Sequence, residues 1–168
     1  METKIRNRSL TALRRAIRVV IAFMSTEITI DEVRTLVNSF FHGVAADQPA
    51  EKMERFFLYP ECRVVAPNGQ SFSMENHRAL HKQWTDEKHE TGGLEVNSLS
   101  DDPARARVTA TVYWQATKRE SASGEKGMIK AVVGEDWIME RRPDGSLCFV
   151  LYHTTFFHPL PDSASIEL

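Results

Sequence analysis

The chain has 168 residues, the length of one ordinary domain, and its 42% hydrophobic and 26% charged residues are those of a globular protein. A net charge of −2 argues against a dedicated nucleic-acid binder, and two cysteines, Cys62 and Cys148, are too few and too far apart for a disulfide scaffold or a zinc site. A reducing cytoplasm is the default compartment. At this length roughly 70% of the unfolded surface is buried on folding, enough for a core and an internal pocket.

The charge is unevenly placed. Residues 1–23 carry six basic side chains, Lys4, Arg6, Arg8, Arg14, Arg15 and Arg18, against one acid, Glu2, a net of +5; the remainder is −7. Residues 19–24 form an apolar run too short for a signal-peptide core and far too short to cross a bilayer. Leu10, Leu13, Ile17, Val20 and Ile21 recur at helical spacing, which leaves open a basic amphipathic helix on a membrane surface through residues 1–24. The other reading starts translation at Met24, which puts residues 1–23 upstream of the true start; the organisation expected is a basic, accessory arm over 1–28, a domain over 29–160 and a tail over 161–168.

Thr29 and Glu32 have the spacing of a capping box and open a helix whose apolar stripe is Val33, Leu36, Val37, Phe40, Phe41 and Val44. Asp47-Gln48-Pro49 restarts the chain into a short helix through Met53, Phe56 and Phe57 that stops before Pro60. Residues 62–66 suit a brief strand, closed by the turn Pro67-Asn68-Gly69. Behind Ser73 a third helix is expected to run to about His89, with Met74, His77, Leu80, His81, Trp84 and Lys88 on one stripe and Gly92-Gly93 as its stop. The rest reads as strands over 94–99, 105–118, 128–141 and 147–157, with turns at Asp101-Asp102-Pro103, at residues 121–124 and at Pro143-Asp144-Gly145. Long runs at hairpin spacing imply an antiparallel sheet and an α+β fold.

Two local patterns go with this order of elements. Ala45-Ala46-Asp47 is followed by Met53-Glu54-Arg55-Phe56-Phe57, and Asp144-Gly145-Ser146-Leu147 leads into the last strand. From Thr29 to Pro159 the chain resembles the nuclear-transport-factor-2-like superfamily, in particular its polyketide-cyclase-like and ketosteroid-isomerase-like branches, with Leu147 where the turn usually has Trp. The resemblance implies a cone: three helices packed in a curved antiparallel sheet, with a pocket at the open end for a small hydrophobic molecule and a homodimer through the sheet. The superfamily hosts isomerases, cyclases, dehydratases and non-catalytic binders, so the fold alone does not decide function.

Histidine is the informative residue, because imidazole serves as acid or base near neutral pH. The resemblance to the superfamily's hexachlorocyclohexane dehydrochlorinase points to Asp47 and His89 as a dyad, with Asp47 orienting His89 and His89 removing a proton. The alternatives are Asp47 capping a helix before Pro49 and His89 in solvent at a helix end. Alternation along the last strand puts Leu147, Phe149, Leu151, His153 and Thr155 on one face, which makes His153 a second pocket group. The pocket wall is expected to include His77, His81, Trp84, Tyr113 and Trp137, with Tyr113 a donor to a developing oxyanion. His77 and His81 are four apart, but no third ligand stands at a recognised spacing, so no metal is expected. No phosphate loop, dinucleotide fingerprint, nucleophile elbow or catalytic-cysteine context is present, and no organic cofactor is implied. The residues fit a cofactor-independent lyase or isomerase, a non-catalytic binder of a hydrophobic metabolite, or a dimeric interaction module.

Overall fold

The computed structural model describes residues 27–58, 60–118 and 127–166, so the basic arm, apart from its last two residues, lies outside it. Helix α1 (Ile30–Ala45) opens on the expected capping box: Glu32 N donates to Thr29 Oγ1, and Thr29 N donates to Glu32. Arg141 closes on the same Glu32 carboxylate with two bonds of 2.8 and 3.0 Å, which holds that carboxyl down to about 2. Replacing Thr29 by alanine removes the cap and is expected to cost about 1 kcal/mol, read as a lower urea midpoint at unchanged slope.

After α1 come α2 (Ala50–Met53) with a following 3₁₀ turn (Glu54–Phe56), the short strands β1 (Arg63–Val65) and β2 (Ser71–Phe72), and α3 (Met74–His81). Four long strands follow: β3 (Trp84–Leu99), β4 (Asp102–Lys118), β5 (Met128–Arg141) and β6 (Leu147–Pro159). They form one six-stranded sheet in the order β2-β1-β6-β5-β4-β3. All neighbours are antiparallel except β1 and β6, which run parallel. The sheet is therefore mixed rather than purely antiparallel, and β6 continues to Pro159, past the expected end.

The apolar stripe of α1 packs into the curve of the sheet. Phe40 is its hub, with the rings of Phe56, Phe57, Phe149 and Tyr152 all 5.3–5.7 Å from its own. Along β4 the inward residues are Ala106, Val108, Ala110, Val112, Trp114 and Ala116; along β5 they are Ile129, Ala131, Val133, Glu135, Trp137 and Met139, in the alternation that the sequence predicts.

Two expectations fail, each for a local reason. The third helix ends at His81, eight residues before His89. Residues 84–99 are a strand whose inner face carries Trp84, Glu87, His89 and Thr91. A β-bulge at Asp86, with φ 53°, and a second at Gly92-Gly93, opposite Thr111, bend that strand, so the glycines stop no helix. The last strand also changes phase: Phe149 pairs with Met139 and Leu151 with Ile138, leaving Val150 as an extra residue. Beyond it Tyr152 and Thr154 face inward, while His153 sits on the outer face, in register with Asp136. A second extra residue, Thr155, restores the phase for Phe157 and Pro159. No helix among the described residues is long and apolar enough to cross a membrane.

Candidate active site

Between α3 and the concave face of the sheet lies a cavity of about 700 Å³. Its walls are mostly apolar, built from Phe72, Trp84, Val112, Trp114, Val133 and Phe157. Asn68, Gln70 and Asn76 also line it, and its titratable side chains enter as two clusters, the usual pattern of a small-molecule site.

The first cluster joins the end of α3 to the bulged start of β3. The two-residue connection after His81 and the left-handed turn at Asp86 bring Glu87 back beneath the helix, where His81 Nδ1 lies 2.8 Å from Glu87 Oε2. Trp114 Nε1–H donates to the same oxygen over 3.1 Å. Glu87 is buried and accepts from Trp114; as a carboxylate it can only accept, so its bond with His81 requires the proton on His81 Nδ1. On its other side, His81 Nε2 is 3.3 Å from His77 Nε2, the neighbour one turn back on α3. His77 is buried against Phe72, and burial pushes its imidazole well below the usual histidine range, with His81 and His89 adding to the effect.

His89 lines the same cavity, stacked on Phe41 with ring centroids 4.4 Å apart and planes 8° from parallel. Burial lowers its imidazole to about 3, so it is neutral, and its Nδ1 is buried without a hydrogen-bond partner. The carboxylate nearest to it is Glu87, 3.9 Å from Nε2 and beyond hydrogen-bond reach. Asp47 is not that partner. It is exposed just past α1, with φ 47°, a left-handed position that Asp tolerates, and it borders a second, small cavity of about 30 Å³ that His81 also lines. Nor does it cap α2, whose N-cap is Pro49.

The second cluster is on β5 and β6. Glu135 is buried on the cavity wall; Tyr152 Oη donates to its Oε1 over 3.3 Å, and Thr154 Oγ1 and Trp137 Nε1 contact its Oε2 at 3.2 and 3.3 Å. Desolvation outweighs these bonds and pushes the Glu135 carboxyl up to about 8, so at neutral pH it is an uncharged acid with a proton to give. Tyr152 is held well above the usual phenol range by burial and by the neighbouring Glu135.

Of the expected site residues, the structure brings His77, His81, Trp84 and His89 to the cavity. Trp137 lies fully buried behind it and reaches it through Glu135 and Tyr152. Tyr113 is 51% exposed on the outer face of the sheet, too far round to donate into the cavity. His153 shares that outer face. Sequence reasoning missed Glu87, Glu135, Tyr152 and Thr154 as site residues. Only Glu135 had left a sign, an acid within an otherwise apolar face of β5. Among the described residues no group of three or more His, Cys, Asp and Glu side chains is arranged to hold a metal ion.

A helical layer held in an open, strongly bulged sheet, with the cavity between them, is also the architecture of known proteins. A cystatin-like-fold protein from Caulobacter vibrioides superposes with a TM-score of 0.58 over 79% of this chain and 90% of its own, at 20% identity. A nuclear-transport-factor-2-like superfamily protein from Salmonella enterica gives 0.60, over 82% and 96%, at 14% identity. The fold is nuclear-transport-factor-2-like. A candidate scytalone dehydratase from Novosphingobium aromaticivorans has the same fold, with a TM-score of 0.60 over 82% of this chain and 89% of its own, at 11% identity. No family model matches the sequence, and no curated protein matches it. At these identities the likeness is one of fold, so the nuclear-transport-factor-2-like architecture explains the cavity, and the chemistry has to be argued from the side chains in it.

Proposed function

We propose that this protein is a cofactor-independent acid–base catalyst of the lyase or isomerase type, acting on a small hydrophobic molecule held in the cavity. The observation that carries the reading is the His81–Glu87 hydrogen bond on the wall of an apolar cavity that also presents the Glu135 acid. In this reading the imidazole–carboxylate pair is His81 with Glu87, in place of His89 with Asp47. Glu87 fixes the Nδ1–H tautomer of His81 and stabilises the imidazolium formed when a proton is taken up. Glu135, neutral at pH 7, hydrogen-bonds an oxygen that gains negative charge, or gives its proton to a leaving hydroxyl. A base and an acid with opposite protonation needs in one cavity suit removal of a proton next to a carbonyl or a hydroxyl-bearing carbon. The dehydratase among the fold neighbours is consistent with that chemistry.

Proton abstraction is visible before any product is known. In D₂O, a panel of hydrophobic aryl ketones with enolisable protons is expected to lose α-proton NMR intensity in the presence of the protein. The panel should stay unchanged with heat-denatured protein. If no member exchanges faster than buffer alone, the catalytic reading fails and a binding role takes its place.

A further inference from the structure

The proposed base has one awkward feature. The lone pair of His81 that ought to meet a substrate is on Nε2, and that atom already faces His77 Nε2 at 3.3 Å. With the Nδ1 proton of His81 committed to Glu87, a neutral His81 has only an acceptor at Nε2. The contact then requires His77 to donate its Nε2–H, which leaves His77 Nδ1 as the bare acceptor. Both imidazoles line the cavity. Extending the acid–base reading above, we propose that His77 is the group that touches the substrate and that it relays the abstracted proton to His81, where Glu87 holds the resulting charge.

Written out, a substrate C–H bond breaks and its electron pair stays on carbon, delocalised onto an adjoining carbonyl oxygen beside Glu135. The proton goes to His77 Nδ1, the Nε2 proton of His77 passes to His81 Nε2, and His81 becomes an imidazolium paired with Glu87. The His77–His81 contact survives with its direction reversed, His81 now donating and His77 accepting. Nothing moves but protons, which suits rings fixed on successive turns of one helix. The division of labour has a physical reason. His77 is buried beside Phe72 and Tyr152, with ring centroids 6.2 and 5.5 Å away, where a cation is poorly stabilised. His81 has a carboxylate at 2.8 Å. The low basicity of His77 therefore does not prevent it from acting as a base, because it never keeps the proton. The titratable groups around the pair are Glu87 and His89 on β3, Tyr152 on β6, Glu135 on β5 and, around the small cavity that His81 also lines, Asp47 and Arg78; among them only Glu87 is hydrogen-bonded to either imidazole.

Two readouts test the relay. In ¹⁵N-histidine-labelled wild-type protein, long-range ¹H–¹⁵N spectra across a pH titration should show His77 as the Nε2–H tautomer while His81 is neutral. The tautomer should switch to Nδ1–H as His81 gains its proton. A His77 tautomer that stays the same throughout overturns the relay without any variant. In the D₂O exchange assay, H77Q is expected to lose exchange about 10²–10⁴-fold although His81 and Glu87 are intact. Gln keeps an N–H donor for His81 but has no basic nitrogen. Near-wild-type exchange by H77Q, together with loss in H81N, overturns the relay and leaves His81 as the direct base. Exchange retained by both variants sinks the underlying acid–base assignment as well, so the two failures are told apart.

Discussion

His81→Asn is expected to slow exchange of an enolisable probe about 10²–10⁴-fold, the range of a positioned general base, with little change in the concentration of probe needed for half-saturation. Asparagine keeps a polar side chain at the end of α3 but has no titratable nitrogen. Glu87→Gln should fall in the same range for a different reason. A glutamine amide turned to donate favours the wrong tautomer of His81, and in either orientation it cannot neutralise the imidazolium. Trp114→Phe keeps a smaller aromatic ring and removes the N–H that shares Glu87 Oε2, so a loss of about 10–10²-fold is expected, in keeping with one hydrogen bond to a charged acceptor. Asp47→Ala is the discriminating control: the residue is exposed, and the hydrogen-bond partners of His81 are Glu87 and His77, so the rate should stay within about twofold of wild type. Initial rates of deuterium incorporation, measured by NMR across the four variants, read out the series. A large loss in Asp47→Ala with an unaffected His81→Asn would reverse the assignment.

Much of the fold was legible because its signals are local and apolar. The capping box at Thr29 and Glu32, the stripe on α1, and the alternation of β4 and β5 are where the sequence puts them. The site was less legible, and for a physical reason. The inner face of β3 presents Glu87, His89 and Thr91 to a cavity, so its period of two is written in polar residues. A reader who looks for apolar periodicity sees only Leu80 and Trp84 at helical spacing and extends the helix through them. On β6 the error is one of phase. Alternation counted from Leu147 is right as far as Phe149, after which the extra residue Val150 moves Tyr152 and Thr154 to the inside and His153 to the outside. Bulges carry no strong signature in a single sequence, yet they aim the side chains of this site. The histidines could be picked out by residue type, but their carboxylate partner could not, because the pairing of His81 with Glu87 depends on the left-handed turn at Asp86.

The same buried groups should give the protein a stability maximum near pH 6.5. The Glu135 carboxyl is raised from 4.5 to about 8, so between those values the folded state keeps a proton that the unfolded state has lost. Its contribution to stability is full below 4.5 and drains away as pH rises through that window. His89, lowered from 6.5 to about 3, and His77, lowered well below 6.5, act in the opposite sense: below 6.5 the unfolded state gains protons that the folded state refuses. From 4.5 to 6.5 the two histidines outweigh the one acid and stability rises with pH; at 6.5 the two effects balance, and above it the histidines fade within about a unit, Glu135 dominates and stability falls to about pH 8. One proton is worth about 1.4 kcal/mol per pH unit; with the last of the histidine titration set against Glu135, the alkaline limb should lose about 1 kcal/mol by pH 8. Glu135→Gln keeps a carbonyl for Tyr152 and Thr154 but has nothing to titrate, and urea midpoints for that variant should rise slightly from pH 6.5 and level off by about pH 7.5, with no fall to pH 8. A wild-type protein that grows more stable over that interval, or a Gln variant with the same fall, would remove Glu135 as the cause. An apolar residue at 135 would avoid this loss, whereas a carboxyl kept neutral by its surroundings supplies a proton donor that the cavity otherwise lacks at pH 7. The alkaline limb is thus the stability that the fold gives up to hold an acid beside a base.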